Sequence, residues 1–89
     1  METYLEVVFE NAAVNEINEA FGSKVTKELG ELVRQADSYV DNNGYDADVL
    51  LHHFPIDRAS GGLEYLIEYA KIFGQTKLHE DASYLLKHL

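Results

Sequence analysis

The chain has 89 residues, 46% hydrophobic and 26% charged, which is enough for one small globular domain over residues 1–89 and too little for two independent cores. Sixteen Asp and Glu against seven Lys and Arg give a net charge of −9, which argues against nucleic acid and anionic membranes as direct partners. The absence of cysteine excludes disulfides and a cysteine nucleophile, and together with an acidic N-terminus unlike a signal peptide it predicts a cytoplasmic protein.

The first ten residues fit two structures. Apolar and acidic residues alternate over residues 5–10 as in a strand, whereas Thr3 and Glu6 have the spacing of a helix capping box. A strand needs a partner that the rest of the chain hardly offers, so we expect a helix and leave a strand over residues 3–10 open. The apolar spacing over residues 12–21, which includes Ile17 and Ala20, predicts a helix.

The clearest helical pattern lies between Val25 and Val40. Gly22 is suited to end the preceding helix and Ser23 to cap this one. Gly30 disfavours a helix by about 1 kcal/mol relative to alanine, which a close helix crossing would explain. The apolar stripe of this helix consists of Val25, Leu29, Leu32, Val33, Ala36 and Val40.

Residues 42–44 (Asn-Asn-Gly) predict a turn, and a short helix is expected from residue 46 to about residue 53, before Pro55. Two amphipathic helices follow. The first spans about residues 63–73, after a flexible glycine-containing loop capped by Ser60.

The second covers about residues 78–89, with Thr76 as its cap. A tight turn at Gly74 makes the two helices antiparallel neighbours. The sequence as a whole predicts an all-α bundle of four to five helices.

The excess negative charge is concentrated in two windows. Residues 1–23 and residues 35–57 each carry five acidic residues and no Lys or Arg, whereas residues 24–34 have a net charge of +1 and residues 58–89 are balanced. Surfaces selected only for solubility usually mix both signs, and concentrated negative potential attracts a basic partner. A solvated acidic face without a partner is the alternative.

Tyrosines within the second window strengthen the prediction of a contact surface, because tyrosine adds buried area at low entropic cost. The predicted partner-binding residues are Asp37, Tyr39, Asp41, Tyr45, Asp46 and Asp48, with Glu6, Glu10, Glu16 and Glu19 as a second candidate surface.

No constellation predicts catalysis, a metal or a cofactor. Gly-x-Ser-x-Gly is absent, and Glu64 and Glu68 are spaced as surface residues of a helix. Asp48 and His52 stand four residues apart and supply two candidate metal ligands, but no fourth ligand is fixed, so a metal-dependent module around them is a minor alternative. We therefore predict that the chain is not an enzyme and has no resident metal.

These features predict a non-enzymatic acidic protein that binds a basic protein partner. Its most concrete form is an inhibitor or immunity protein that blocks the nucleic-acid cleft of a nuclease toxin. The alternative is a helical adaptor, or a self-associating subunit of a larger assembly, that binds through Tyr65 and Tyr69 or through residues 5–9.

Overall fold

The computed structural model describes residues 14–44 and 58–89, and 87% of these residues are helical. They form four helices, with no strand in these two stretches: α1 Val14–Phe21, α2 Ser23–Asn42, α3 Ala59–Ile72 and α4 Thr76–His88. The predicted all-α class is confirmed. The helix expected near residues 46–53 and the choice between helix and strand over residues 3–10 lie outside the described residues.

Gly22 forms the corner between α1 and α2. Its φ of 92° and ψ of 165° lie in a region that only glycine occupies readily. Its N–H donates to the Asn18 carbonyl at 2.9 Å, and its own carbonyl accepts from the Thr26 hydroxyl at 3.1 Å. The prediction that Ser23 caps α2 is wrong, because Gly22 makes the turn and Ser23 is already the first helical residue.

The predicted stripe of α2 faces the core. Leu29, Val33, Ala36 and Val40 are buried, and Val25 and Leu32 pack against them partly buried. Gly30 is also buried, so α2 tolerates the low helix propensity of glycine at a position that faces the interior.

The end of α2 confirms the predicted turn. The helix stops at Asn42, and Gly44 follows with a φ of 71°. The Asn43 backbone N–H and side-chain amide both donate to the Tyr39 carbonyl, at 3.1 and 2.8 Å, and so hold the last turn of the helix.

The start of α3 differs from the prediction. Residues 59–62 are not a flexible loop capped by Ser60, because the helix begins at Ala59 and the extended Arg58 is its N-cap. The Gly62 N–H donates to the Arg58 carbonyl at 2.9 Å, and Gly61 and Gly62 are both buried. Packing of this turn in the interior outweighs its poor helix propensity.

Gly74, with a φ of 69°, ends α3, and the Gln75 N–H donates to the Ala70 carbonyl at 2.8 Å. Thr76 is the first residue of α4 and not its cap, since Gln75 holds that position. The pair α3 and α4 packs together more extensively than any other two described helices, as the short connection predicted.

All four helices contribute to one core. Ala20 is exposed, contrary to the apolar face predicted for α1, and Ile17 is the one buried side chain described in that helix. None of the described helices combines the length and apolar character needed to cross a bilayer. The buried apolar residues are Ile17, Leu29, Val33, Ala36, Val40, Ala59, Leu63, Tyr65, Leu66, Tyr69, Ala70, Leu78, Ala82 and Leu85.

Candidate functional site

Three predicted partner-binding residues lie on the C-terminal half of α2. Asp41 is exposed, Asp37 is half-buried and Tyr39 is 46% exposed. Each residue turns the helix by about 100°, so Asp37 and Asp41 share one side of α2, which we call the acidic flank. Tyr39 lies about 200° from either aspartate, so the structure brings the two carboxylates together and leaves the tyrosine apart.

The side chain of Tyr69 lies near the acidic flank. It is fully buried, and its hydroxyl has no hydrogen-bond partner within the described part of the chain. Burial raises the pKa of this hydroxyl above its usual value, and the charges of Asp37, Tyr65 and Asp41 raise it further. Both carboxylates of the acidic flank are therefore within electrostatic range of a buried, unpaired hydroxyl.

The aromatic face predicted for the adaptor alternative is not on the surface. Tyr65 is 1% and Tyr69 0% exposed, so these two side chains form no dimer seam in this fold. Their ring centroids are 6.2 Å apart, and Tyr69 meets Phe73 edge-on at 4.9 Å. The adaptor alternative needed both tyrosines on a binding face, whereas the core encloses both.

The second candidate surface is described only in part. Glu16 and Glu19 are exposed on α1, on either side in sequence of the buried Ile17. Their carboxylates are three residues apart and so lie on neighbouring positions of one helix face. The other predicted binding residues, Glu6, Glu10, Tyr45, Asp46 and Asp48, lie outside the described residues, as does His52.

A groove between α2 and α4 was not predicted from the sequence. It consists of two adjoining depressions that share Glu28 and Asp81. The charge of consecutive segments does not reveal this groove, because its carboxylates come from two helices. In addition, Lys24, Lys27 and Arg34 balance the acidic charge of the α2 segment although they do not line the groove. The i, i+3 pair Glu28 and Glu31 was the signal available in the sequence.

Chemically, the acidic flank offers carboxylate oxygens that accept hydrogen bonds from Lys and Arg side chains. Residues 14–44 and 58–89 contain no group of three or more His, Asp or Glu side chains arranged to hold a metal ion. The described geometry thus places hydrogen-bond acceptors and negative potential on one side of α2.

No family model, no curated protein and no solved structure matches the chain.

Proposed function

We propose that this protein is a non-enzymatic acidic binding protein that engages a basic protein partner. The observation that carries the proposal is the charge distribution: residues 1–23 and 35–57 have no Lys or Arg and contain the whole excess of negative charge. The exposed Asp41, Glu16 and Glu19 and the half-buried Asp37 support it, because their carboxylates are available on the surface of the fold.

Electrostatic attraction is the mechanism. Like charges one helical turn apart, such as Asp37 and Asp41, disfavour the helix by a few tenths of a kcal/mol. A basic partner relieves this repulsion when its Lys or Arg side chains bind between the carboxylates. Long-range attraction also speeds association, and it weakens as salt is added.

The most concrete form of the proposal is an inhibitor or immunity protein that blocks a nuclease toxin. A nuclease binds the phosphates of its substrate with basic side chains. Carboxylates of Asp37 and Asp41, together with those of Asp46 and Asp48, would occupy the positions of the phosphates, with Tyr45 as an apolar anchor; Tyr39, on the other side of α2, is left out of this contact. The small size and net charge of −9 suit a competitor for such a cleft.

The test is a pull-down from the source lysate with three forms of the chain as bait, at low and at high ionic strength. These are the wild type, Asp37→Asn/Asp41→Asn and a matched control, Glu64→Gln/Glu68→Gln, which removes the same charge from two residues of α3 that are also four apart. We expect one basic protein to be captured by the wild type and by the control, and to be reduced with the α2 variant and at high salt.

A second assay then tests the toxin hypothesis. The captured protein is purified and its nuclease activity is measured with and without the wild-type chain. Inhibition that the α2 variant fails to reproduce supports the proposal. Capture that is indifferent to salt contradicts the proposal and favours an adaptor that binds through apolar contacts. Equal loss with the α2 variant and the control contradicts the assignment to the acidic flank, because it means that overall net charge determines binding.

A further inference from the structure

We propose that the groove between α2 and α4 binds an amphipathic basic helix of a partner protein. This surface is separate from the acidic flank: its α2 residues, such as Glu28 and Gln35, lie on the opposite side of the core-facing stripe from Asp37 and Asp41. The inference therefore goes beyond the proposed function and depends on different residues.

The lining residues show how the two helices form the walls. In one half of the groove Val25 lies opposite Tyr84 and Leu85, and in the other half Leu32 lies opposite Lys77. The two helices thus run antiparallel along it. From Val25 to Gln35 the α2 wall is about 15 Å long, which corresponds to about three turns of a bound helix.

The floor of the groove is apolar in the half lined by Val25 and Leu85, whereas in the other half Leu32 is the one apolar lining residue. Phe21, Val25 and Leu32 pack against the core partly buried, and Leu85 is buried. Tyr84 stands at the rim, 61% exposed, with its ring centroid 4.4 Å from that of His88. An exposed aromatic ring next to an apolar floor is typical of the anchor positions of helix-binding grooves.

The charges that line the groove determine which kind of partner fits it. Three carboxylates, those of Glu28, Glu31 and Asp81, line the groove against the single ammonium of Lys77. A second copy of the chain, with its net charge of −9, is a poor occupant, and so are residues 1–13, which contain three Glu and no Lys or Arg. A partner helix with one apolar face bordered by Lys or Arg matches both the floor and the walls.

The probe is a synthetic helix of Leu and Lys that carries one Trp on its apolar face. Because the protein contains no tryptophan, peptide fluorescence reports binding without background from the protein. A scrambled peptide of the same composition, with its leucines spread around the helix, keeps the charge and loses the apolar face. We expect the amphipathic peptide to bind and the scrambled one to bind at least about tenfold more weakly.

Substitutions in the groove test whether the peptide binds there. We expect Glu28→Gln/Asp81→Asn and, separately, Tyr84→Ala to weaken peptide binding by about tenfold, and Tyr84→Phe to keep it, since the ring makes the contact. Glu64→Gln/Glu68→Gln is the charge-matched control and should bind as the wild type does. Helical circular dichroism of each variant verifies that the fold is intact.

The inference is overturned by no binding of the amphipathic peptide, by equal binding of the scrambled peptide, or by equal weakening with the charge-matched control. Weakening by Asp37→Asn/Asp41→Asn, with Glu28→Gln/Asp81→Asn unaffected, also overturns it, but leaves the proposed role of the acidic flank standing. Conversely, loss of partner capture by the acidic-flank variant with unchanged peptide binding supports both surfaces separately.

Discussion

At the scale of single residues, the hydroxyl of Tyr69 is the least satisfied group of the described core. Its ring packs between Tyr65 and Phe73, while its oxygen is buried without a hydrogen bond inside the described region. A buried polar group without a partner is destabilising, by about 1–3 kcal/mol in proteins. The ring therefore stabilises the folded state, and the buried hydroxyl destabilises it.

Tyr69→Phe separates these two effects. The variant keeps the ring contacts and removes the unpaired oxygen, so we expect the free energy of unfolding to stay equal or to rise by up to about 1 kcal/mol. Urea denaturation followed by circular dichroism measures it, and Tyr84→Phe, at an exposed position, is the control. A loss of more than 1 kcal/mol would mean that the hydroxyl has a partner after all.

The same hydroxyl makes stability depend on alkaline pH. In the unfolded chain Tyr69 ionises around its ordinary pKa of 10.0, whereas in the folded protein burial keeps it protonated to higher pH. The unfolded state therefore binds fewer protons above pH 10, and stability is full below that pH and falls as pH rises beyond it. Urea midpoints across this range should fall more steeply for the wild type than for Tyr69→Phe, and parallel curves would contradict the pKa shift.

At the scale of helices, Gly22 determines how α1 meets α2. A Cβ at this position meets nothing within 4 Å, so the obstacle to any other residue is its backbone conformation and not space. Asparagine tolerates the left-handed helical region, but Gly22 lies outside that region because its ψ is 165°.

We expect Gly22→Ala and Gly22→Asn both to lower the free energy of unfolding, by about 1–3 kcal/mol. The matched position is Gly74, whose φ is 69° and whose surroundings are equally open. Urea denaturation of Gly22→Ala, Gly22→Asn and Gly74→Ala measures all three under one protocol. Wild-type stability of the two Gly22 variants would show that the corner adopts another conformation without loss.

Apolar spacing predicted the four described helices and the core-facing stripe of α2, and polar side chains located the helix starts only approximately. Ser23 and Thr76 are the first residues of their helices, and Ser60 is the second residue of its helix. None of these three helices has a side-chain hydrogen bond at its N-cap. The predicted caps thus lie within two residues of the observed N-caps, although α3 begins four residues before its predicted start at residue 63.

The burial of α3 shows why part of the candidate site could not be predicted. Spacing predicts one apolar stripe, but Gly61 and Tyr65 extend the buried surface of α3 over more than half of its circumference. Such a broad surface follows from contacts with α4 and, less extensively, with α1, which a periodicity within one segment does not contain. For the same reason the groove between α2 and α4 became visible only in the fold.

At the scale of the whole molecule, the net charge of −9 opposes folding by self-repulsion. Added salt screens this repulsion, so we expect Tm to rise with ionic strength. A gain of 1 kcal/mol corresponds to about 4–8 °C in a domain of this size. Thermal melts at increasing NaCl measure the effect, and a falling Tm would mean that stabilising ion pairs outweigh the repulsion.

Asp37→Asn/Asp41→Asn provides the matching substitution. It should raise Tm at low salt and reduce the salt dependence, because two like charges one turn apart are removed. If the same variant also fails to bind the partner, the carboxylates that bind the partner are the ones that destabilise the free protein. This is the expected relation for residues that are retained for recognition at a cost in stability.

The short connection between α3 and α4 also has a consequence for the time course of folding. Only residues 73–75 separate these helices, so bringing the two helices together costs little conformational entropy. Contacts between residues close in sequence also form fast. The described part of α1 buries a single side chain and depends on the rest of the core for its position. We therefore expect the α3–α4 hairpin to be the nucleus around which the domain condenses, with its amide protons the slowest to exchange with deuterium and those of α1 the fastest.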